Sequence, residues 1–208
     1  MAYNKFKMAQ LQEKLHLDIK RDFWLNVVPP RFEVDTALDM QLTQATKMYL
    51  GSEKARSEFL IAPVLQAFQR KNAEVLSVFS GYEFNIDKSL KLNGFCDFIL
   101  STSSSSSFFL EAPIFCVVEA KKMEPEINDL AQCGAEMYAA QLFHEREKKP
   151  QKAVYGCTTS GYSWIFLKLE NNTLSIDARP VQLSFDNPYG VLATLQWILD
   201  QSLPVFKK

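Results

Sequence analysis

Apolar positions recur at two periods along this chain, a helical one in the first third and a strand-like one after it. Between residues 5 and 22, Phe6, Leu11, Leu15 and Ile19 share one face at helical spacing and predict a first helix. Pro29-Pro30 breaks the chain, because neither residue can sit inside a helix. A second helix is predicted over 36–50, stopping near Gly51. Ser52 offers an N-cap hydroxyl for a third, over 53–71, where Phe59, Leu60, Val64, Leu65 and Phe68 recur at helical intervals. Pro63 lies inside that pattern and predicts a kink or a late start.

Strand signals follow. Segments 75–79, 82–86 and 94–100 are short and rich in aromatic or β-branched residues, although the first would also suit a helix end or loop. Ser101 to Ser107 is almost pure Ser and Thr and reads as a flexible hairpin loop. Ile114 to Ala120 is apolar almost throughout and predicts a central buried strand. Residues 126–147 form a long amphipathic pattern, opened by Glu126, Asn128 and Asp129 and closed before Pro150. Two more strands are predicted over 153–158 and 163–169, with a tight turn at Thr159, Ser160 and Gly161. A short edge strand over 173–177 and a final helix over 189–201, preceded by Asp186-Asn187-Pro188, complete the chain. The order predicts an α/β sandwich with a central mixed sheet flanked by helices.

Composition narrows the classes. At 208 residues and 47% hydrophobic content, with sixteen Phe, the chain has the size and apolar content of one ordinary domain. A net charge of −1 excludes a globally basic nucleic-acid binder and leaves room for a local basic patch. No apolar run approaches a membrane span, and the N-terminus lacks the apolar core of a signal peptide. Cys96, Cys116, Cys133 and Cys157 are widely spaced, with no CxxC pair. They read as reduced, buried thiols of a cytoplasmic protein, and no zinc site is expected.

Against this background, the end of the central strand stands out. Ile114-Phe115-Cys116-Val117-Val118 runs directly into Glu119-Ala120-Lys121, and buried charge costs several kcal/mol unless compensated. Side chains alternate along a strand, so Glu119 and Lys121 project to one face. Asp97, in Gly94-Phe95-Cys96-Asp97, supplies a second carboxylate on the neighbouring strand. Asp97, Glu119 and the Ala120 carbonyl are hard oxygen ligands of the kind Mg²⁺ takes. Lys121 would then orient a nucleophilic water or neutralise a phosphorane-like transition state. On spacing alone, Glu119 and Lys121 could equally be a same-face ion pair. A second copy of the tripeptide, Glu147-Lys148-Lys149, reads as a solvated helix end.

Asp97 with Glu119-Ala120-Lys121 resembles the PD-(D/E)xK nuclease superfamily, with its restriction-endonuclease-like fold. The matching region is 53–169, with Cys96 in place of the family's Pro. The resemblance implies one nuclease-like domain over 1–208. It comprises a helical N-terminal extension (1–51), a nuclease-like core (52–170) and a C-terminal strand and helix (171–208). It implies a Mg²⁺-dependent DNA endonuclease, with Mn²⁺ able to substitute, whose catalytic residues are Asp97, Glu119 and Lys121. Glu58 occupies the place of an acidic residue near the metal, and Gln132 and Tyr138 match a Gln and a Tyr carried on the following helix. The partner implied is DNA, with two copies pairing so that two sites address two strands, and no membrane. Glu136, four residues after Gln132 and on its face, is read as structural. Neither His16 nor His144 is expected to be catalytic. Lys121, Lys122, Lys148, Lys149 and Lys152, joined by Lys54, Arg56 and Arg70, are expected to form a positive surface around the cleft. The alternative is a nuclease-fold protein that binds nucleic acid or protein without cutting.

Overall fold

Ile114–Ala120 lies at the heart of one mixed sheet, and all seven of its residues are buried. The computed structural model describes residues 3–25, 35–102, 109–185 and 188–203. The Pro29-Pro30 break, residues 103–107 of the Ser-rich loop, and Asp186-Asn187 lie outside them.

A single 3₁₀ turn, Tyr3–Lys5, leads into α1 (Met8–Leu15) and then β1 (Asp18–Asp22). The helical segment continues with α2 (Thr36–Ala45), α3 (Glu53–Arg56), a π-turn at Ser57–Ile61 and α4 (Ala62–Lys71). Three strands follow, β2 (Ser77–Glu83), β3 (Phe95–Ser101) and β4 (Ile114–Ala120), and then α5 (Ile127–Arg146). The chain closes with β5 (Ala153–Thr159), β6 (Ser163–Glu170), β7 (Thr173–Asp177), β8 (Val181–Gln182) and α6 (Tyr189–Ser202). The eight strands form one sheet in the order β1-β7-β6-β5-β4-β3-β2, with β8 beside β6. Among the described residues only β4 with β5 and β1 with β7 run parallel. The parallel pair β4–β5 needs a crossover, and α5 supplies it.

Side-chain alternation distributes the core to both faces. Val118 and Cys116 pack with Leu65, Phe68 and Leu195 from the α4 and α6 layer. Val117 and Ile114 pack with Leu11 and the small residues of α5, among them Ala131, Cys133 and Ala135. Gly156 on β5 lets α5 come close, because a Cβ there would strike Met137 and lie 2.7 Å from Cys133 Sγ. All four cysteines are free and buried.

Several expected elements are revised. The helix over 5–22 ends at Leu15, where His16 turns left-handed at φ 55°, and residues 18–22 form a strand instead. That strand is an edge whose charges face water, so it buries too little to show a period of two. The segment 173–177 is consequently interior, between β1 and β6. The helix expected over 36–50 stops at Ala45, its last buried position. The strands expected over 75–79 and 82–86 merge as β2, with Phe84 and Ile86 continuing the hairpin outside it. Around Pro63 the helix neither breaks nor starts late. The Ala62 amide reaches back five residues to the Ser57 carbonyl, a wider turn that accommodates the residue without an N–H. Among the described residues no helix is long and apolar enough to cross a membrane.

Candidate functional site

The β3–β4 ladder ends at Phe98 opposite Val118, and beyond that pair the strands diverge. The opening is bridged by a side chain: Asp97 Oδ2 accepts the Ala120 amide at 2.8 Å, as a backbone carbonyl would in a continued ladder. The divergence coincides with Gly81 on β2, whose φ of 61° turns the ribbon over. Ile99 and Cys96, three residues apart on β3, consequently face the same α5-side layer, as do Phe79 and Tyr82 on β2. Asp97 sits at this twist.

On β4 the ladder with β5 runs one residue further, because the Lys121 amide donates to the Thr159 carbonyl at 2.8 Å. Successive residues of a strand direct their backbone groups to opposite sides. The Ala120 amide and carbonyl therefore turn toward Asp97. Glu119 and Lys121 project toward α5, where Lys121 Nζ donates to Glu119 Oε1 at 2.7 Å and to Gln132 Oε1 at 3.0 Å. Gln132 Nε2 in turn donates to Glu136 Oε1 at 3.1 Å, across one turn of α5. Glu119 is 4% exposed and Glu136 0%.

Three carboxylates thus surround one ammonium. Burial raises the pKa of Asp97, against the Ala120 amide and Lys121, which lower it. Burial, then the charges of Glu136 and Asp97, push Glu119 well above the ordinary carboxylate range despite Lys121. Burial also raises Glu136, with Gln132 opposing it and Asp97 adding to it. Burial alone would lower Lys121, but the Glu119 charge and hydrogen bond outweigh it and keep its proton on. Glu119 Oε2 and Glu136 Oε2 are both enclosed and receive no N–H or hydroxyl, and the Glu119 carboxyl lies within hydrogen-bond reach of Glu136 and Asp97. Crowded acids with free oxygens are what a cation relieves, and Asp97, Glu119 and the Ala120 carbonyl fit the hard-oxygen preference of Mg²⁺. Among the described residues no group of three His, Cys, Asp or Glu side chains is arranged to hold a metal. Mg²⁺ commonly relies on fewer protein ligands than that and keeps several waters.

The other expected residues lie apart from this cluster. Glu58 is half exposed on the π-turn and pairs with Lys54 at 3.6 Å. Glu53, one turn earlier, is the residue of this helix whose charge acts on Lys121. Ser52 caps the helix as expected, accepting the Ala55 amide at 3.1 Å. Tyr138 packs against the α5-side core, and its hydroxyl is raised by burial and then by Glu145. His16 is an exposed helix cap, and His144 is a buried neutral acceptor for the Ile114 amide at 2.8 Å. Glu136 belongs to the network rather than to the packing alone. Its i, i+4 spacing from Gln132 was the signal for this.

Some of the residues expected in a positive surface lie away from the cluster or are paired. Lys149 Nζ reaches the Ala112 carbonyl, before the start of β4, whereas Lys121 lies past its end, with the length of β4, about 20 Å at strand rise, between them. Lys152 pairs with Glu170 and Arg70 with Asp35. Arg56 stays near the site but is occupied, donating to the Leu50 and Ser160 carbonyls and lying over the Tyr162 ring. No family model matches the chain, and no curated protein matches it.

Proposed function

We propose that the chain is a divalent-metal-dependent phosphodiesterase, a DNA endonuclease of the PD-(D/E)xK type. One observation carries the reading: Asp97 is tied to the Ala120 amide at the point where β3 and β4 part, and Glu119 and Lys121 flank that residue. Asp97, Glu119 and the Ala120 carbonyl would hold Mg²⁺, or Mn²⁺ in its stead. The ion supplies positive charge for the phosphorus centre and lowers the pKa of bound water. Lys121, kept protonated by Glu119, orients the attacking water and offsets negative charge on the scissile phosphate. Gln132 holds that ammonium from the helix side, so Lys121 does not have to be ordered when substrate arrives.

Calorimetric titration with Mn²⁺ should reveal binding that disappears in Asp97→Ala. Plasmid DNA should be cut with Mg²⁺ or Mn²⁺, and the cutting should vanish in Lys121→Ala. Full cleavage by a metal-free preparation sinks the proposal. A second reading, a nuclease-fold protein that binds without cutting, is favoured by the enclosure of Glu119 Oε2. It predicts no Mn²⁺ heat at all.

A further inference from the structure

Lys121, Gln132 and Glu136 form a chain whose direction is dictated by chemistry. An ammonium can only donate, so the Gln132 atom that meets Lys121 Nζ at 3.0 Å has to be its oxygen. The amide nitrogen is thereby turned to Glu136, a fully buried carboxylate that accepts it at 3.1 Å. With an apolar side chain at 136, Gln132 Nε2 would be left enclosed and unpaired. Its amide would then gain by swinging away from Lys121 toward another acceptor. We propose that Glu136 is a positioning residue: by holding the Gln132 nitrogen it keeps the Gln132 oxygen on Lys121 and so keeps Lys121 against Glu119. The geometry of this chain is independent of the metal, and only its consequence for cleavage rests on the nuclease reading.

Competitive acylation of lysines by acetic anhydride, read residue by residue by mass spectrometry, tests it on the intact chain without metal. Lys168, which pairs with Glu170 at 3.0 Å in a different part of the sheet, serves as the internal reference. Glu136→Met should raise Lys121 labelling about tenfold relative to Lys168, the scale of one lost hydrogen bond to a charged group. Glu136→Gln, which retains a carbonyl acceptor, should keep Lys121 protected. Gln132→Met should match Glu136→Met, and the double variant should go no further, because both act through one amide. Unchanged Lys121 labelling in Glu136→Met, or a parallel rise at Lys168, overturns the proposal. If Glu136→Met does not fold, unchanged labelling in Gln132→Met overturns it equally. A wild-type protein that shows this labelling pattern yet binds no Mn²⁺ and cuts nothing supports the positioning chain and overturns the nuclease reading.

Discussion

Glu119-Ala120-Lys121 ends a strand that is buried throughout, whereas Glu147-Lys148-Lys149 ends a helix in water. At the first, Lys121 meets a carboxylate and an amide oxygen, and its partner Glu119 is enclosed. At the second, Glu147 caps α5, Lys148 turns left-handed at φ 55°, and Lys149 reaches a backbone carbonyl at 3.1 Å. The spacing is common to both, and α5 touches both. Different surroundings make the first a charged centre with unsatisfied oxygens and the second a way of stopping a helix.

The largest effect expected to separate the two follows from the proposed nuclease activity. Glu119→Ala should lower Mn²⁺-supported plasmid cleavage by about a thousandfold, the scale of removing one essential transition-state contact, while Glu147→Ala leaves it unchanged. Loss in both would erase the distinction.

Stability should separate them next. Removing the ammonium in Lys121→Met pushes the Glu119 carboxyl still higher, since Lys121 is what lowers it. A raised carboxyl keeps its proton in the folded chain while the unfolded chain releases it near 4.5. Stability is therefore fully present below that value and lost as pH rises. Urea unfolding should show Lys121→Met weaker than wild type by about 3 kcal/mol at pH 8 and by less at pH 5. Lys149→Met should lose about 1 kcal/mol, with no such slope.

The helix end has its own pH signature. His144 is pushed down from 6.5 to about 4, chiefly by burial, and the Ile114 amide occupies the nitrogen that would take the proton. Between these values the unfolded imidazole takes a proton and the folded one does not. Wild-type stability should consequently fall by roughly 3 kcal/mol as pH drops through this window. His144→Gln, whose oxygen can still accept the Ile114 amide, should flatten that part of the profile in acid-titrated thermal melts. The smallest effect is a gain. Lys148→Gly should stabilise by about 0.5 kcal/mol, since glycine adopts the left-handed turn without penalty. A loss would mean that the Lys148 side chain holds the helix end together.

Much of this was legible in the sequence because burial writes itself as a period. Ile114 to Ala120 is buried on both faces, and its predicted bounds are those found. The helix over 126–147 and the strands over 153–158 and 163–169 differ from the structure by about one residue, because each has a clear apolar face. β1 escaped notice because a charged edge strand buries almost nothing. In the site, Asp97, Glu119, Lys121 and Gln132 come together, since strand alternation and helix spacing suffice to align them. Glu58 does not join them: it turns to water beside Lys54, and Glu53, on another face of the same helix, is the residue whose charge reaches Lys121. Glu136 reads as structural from sequence, because its i, i+4 spacing signals a face shared with Gln132 without showing that the amide between Lys121 and Glu136 must point both ways.

The bond from Asp97 to the Ala120 amide gives the mouth of the cluster two unlike jaws. Asp97 stands on β3 and is fastened to β4 by the Ala120 amide, so its carboxylate goes with the sheet. Lys121 is suspended partly from an amide carried on α5. A slide of α5 along its axis would shift the ammonium and leave the carboxylate where it is. Anything that packs on that helix, such as the N-terminal segment from Tyr3 to Leu15, thereby acquires leverage over the gap between them.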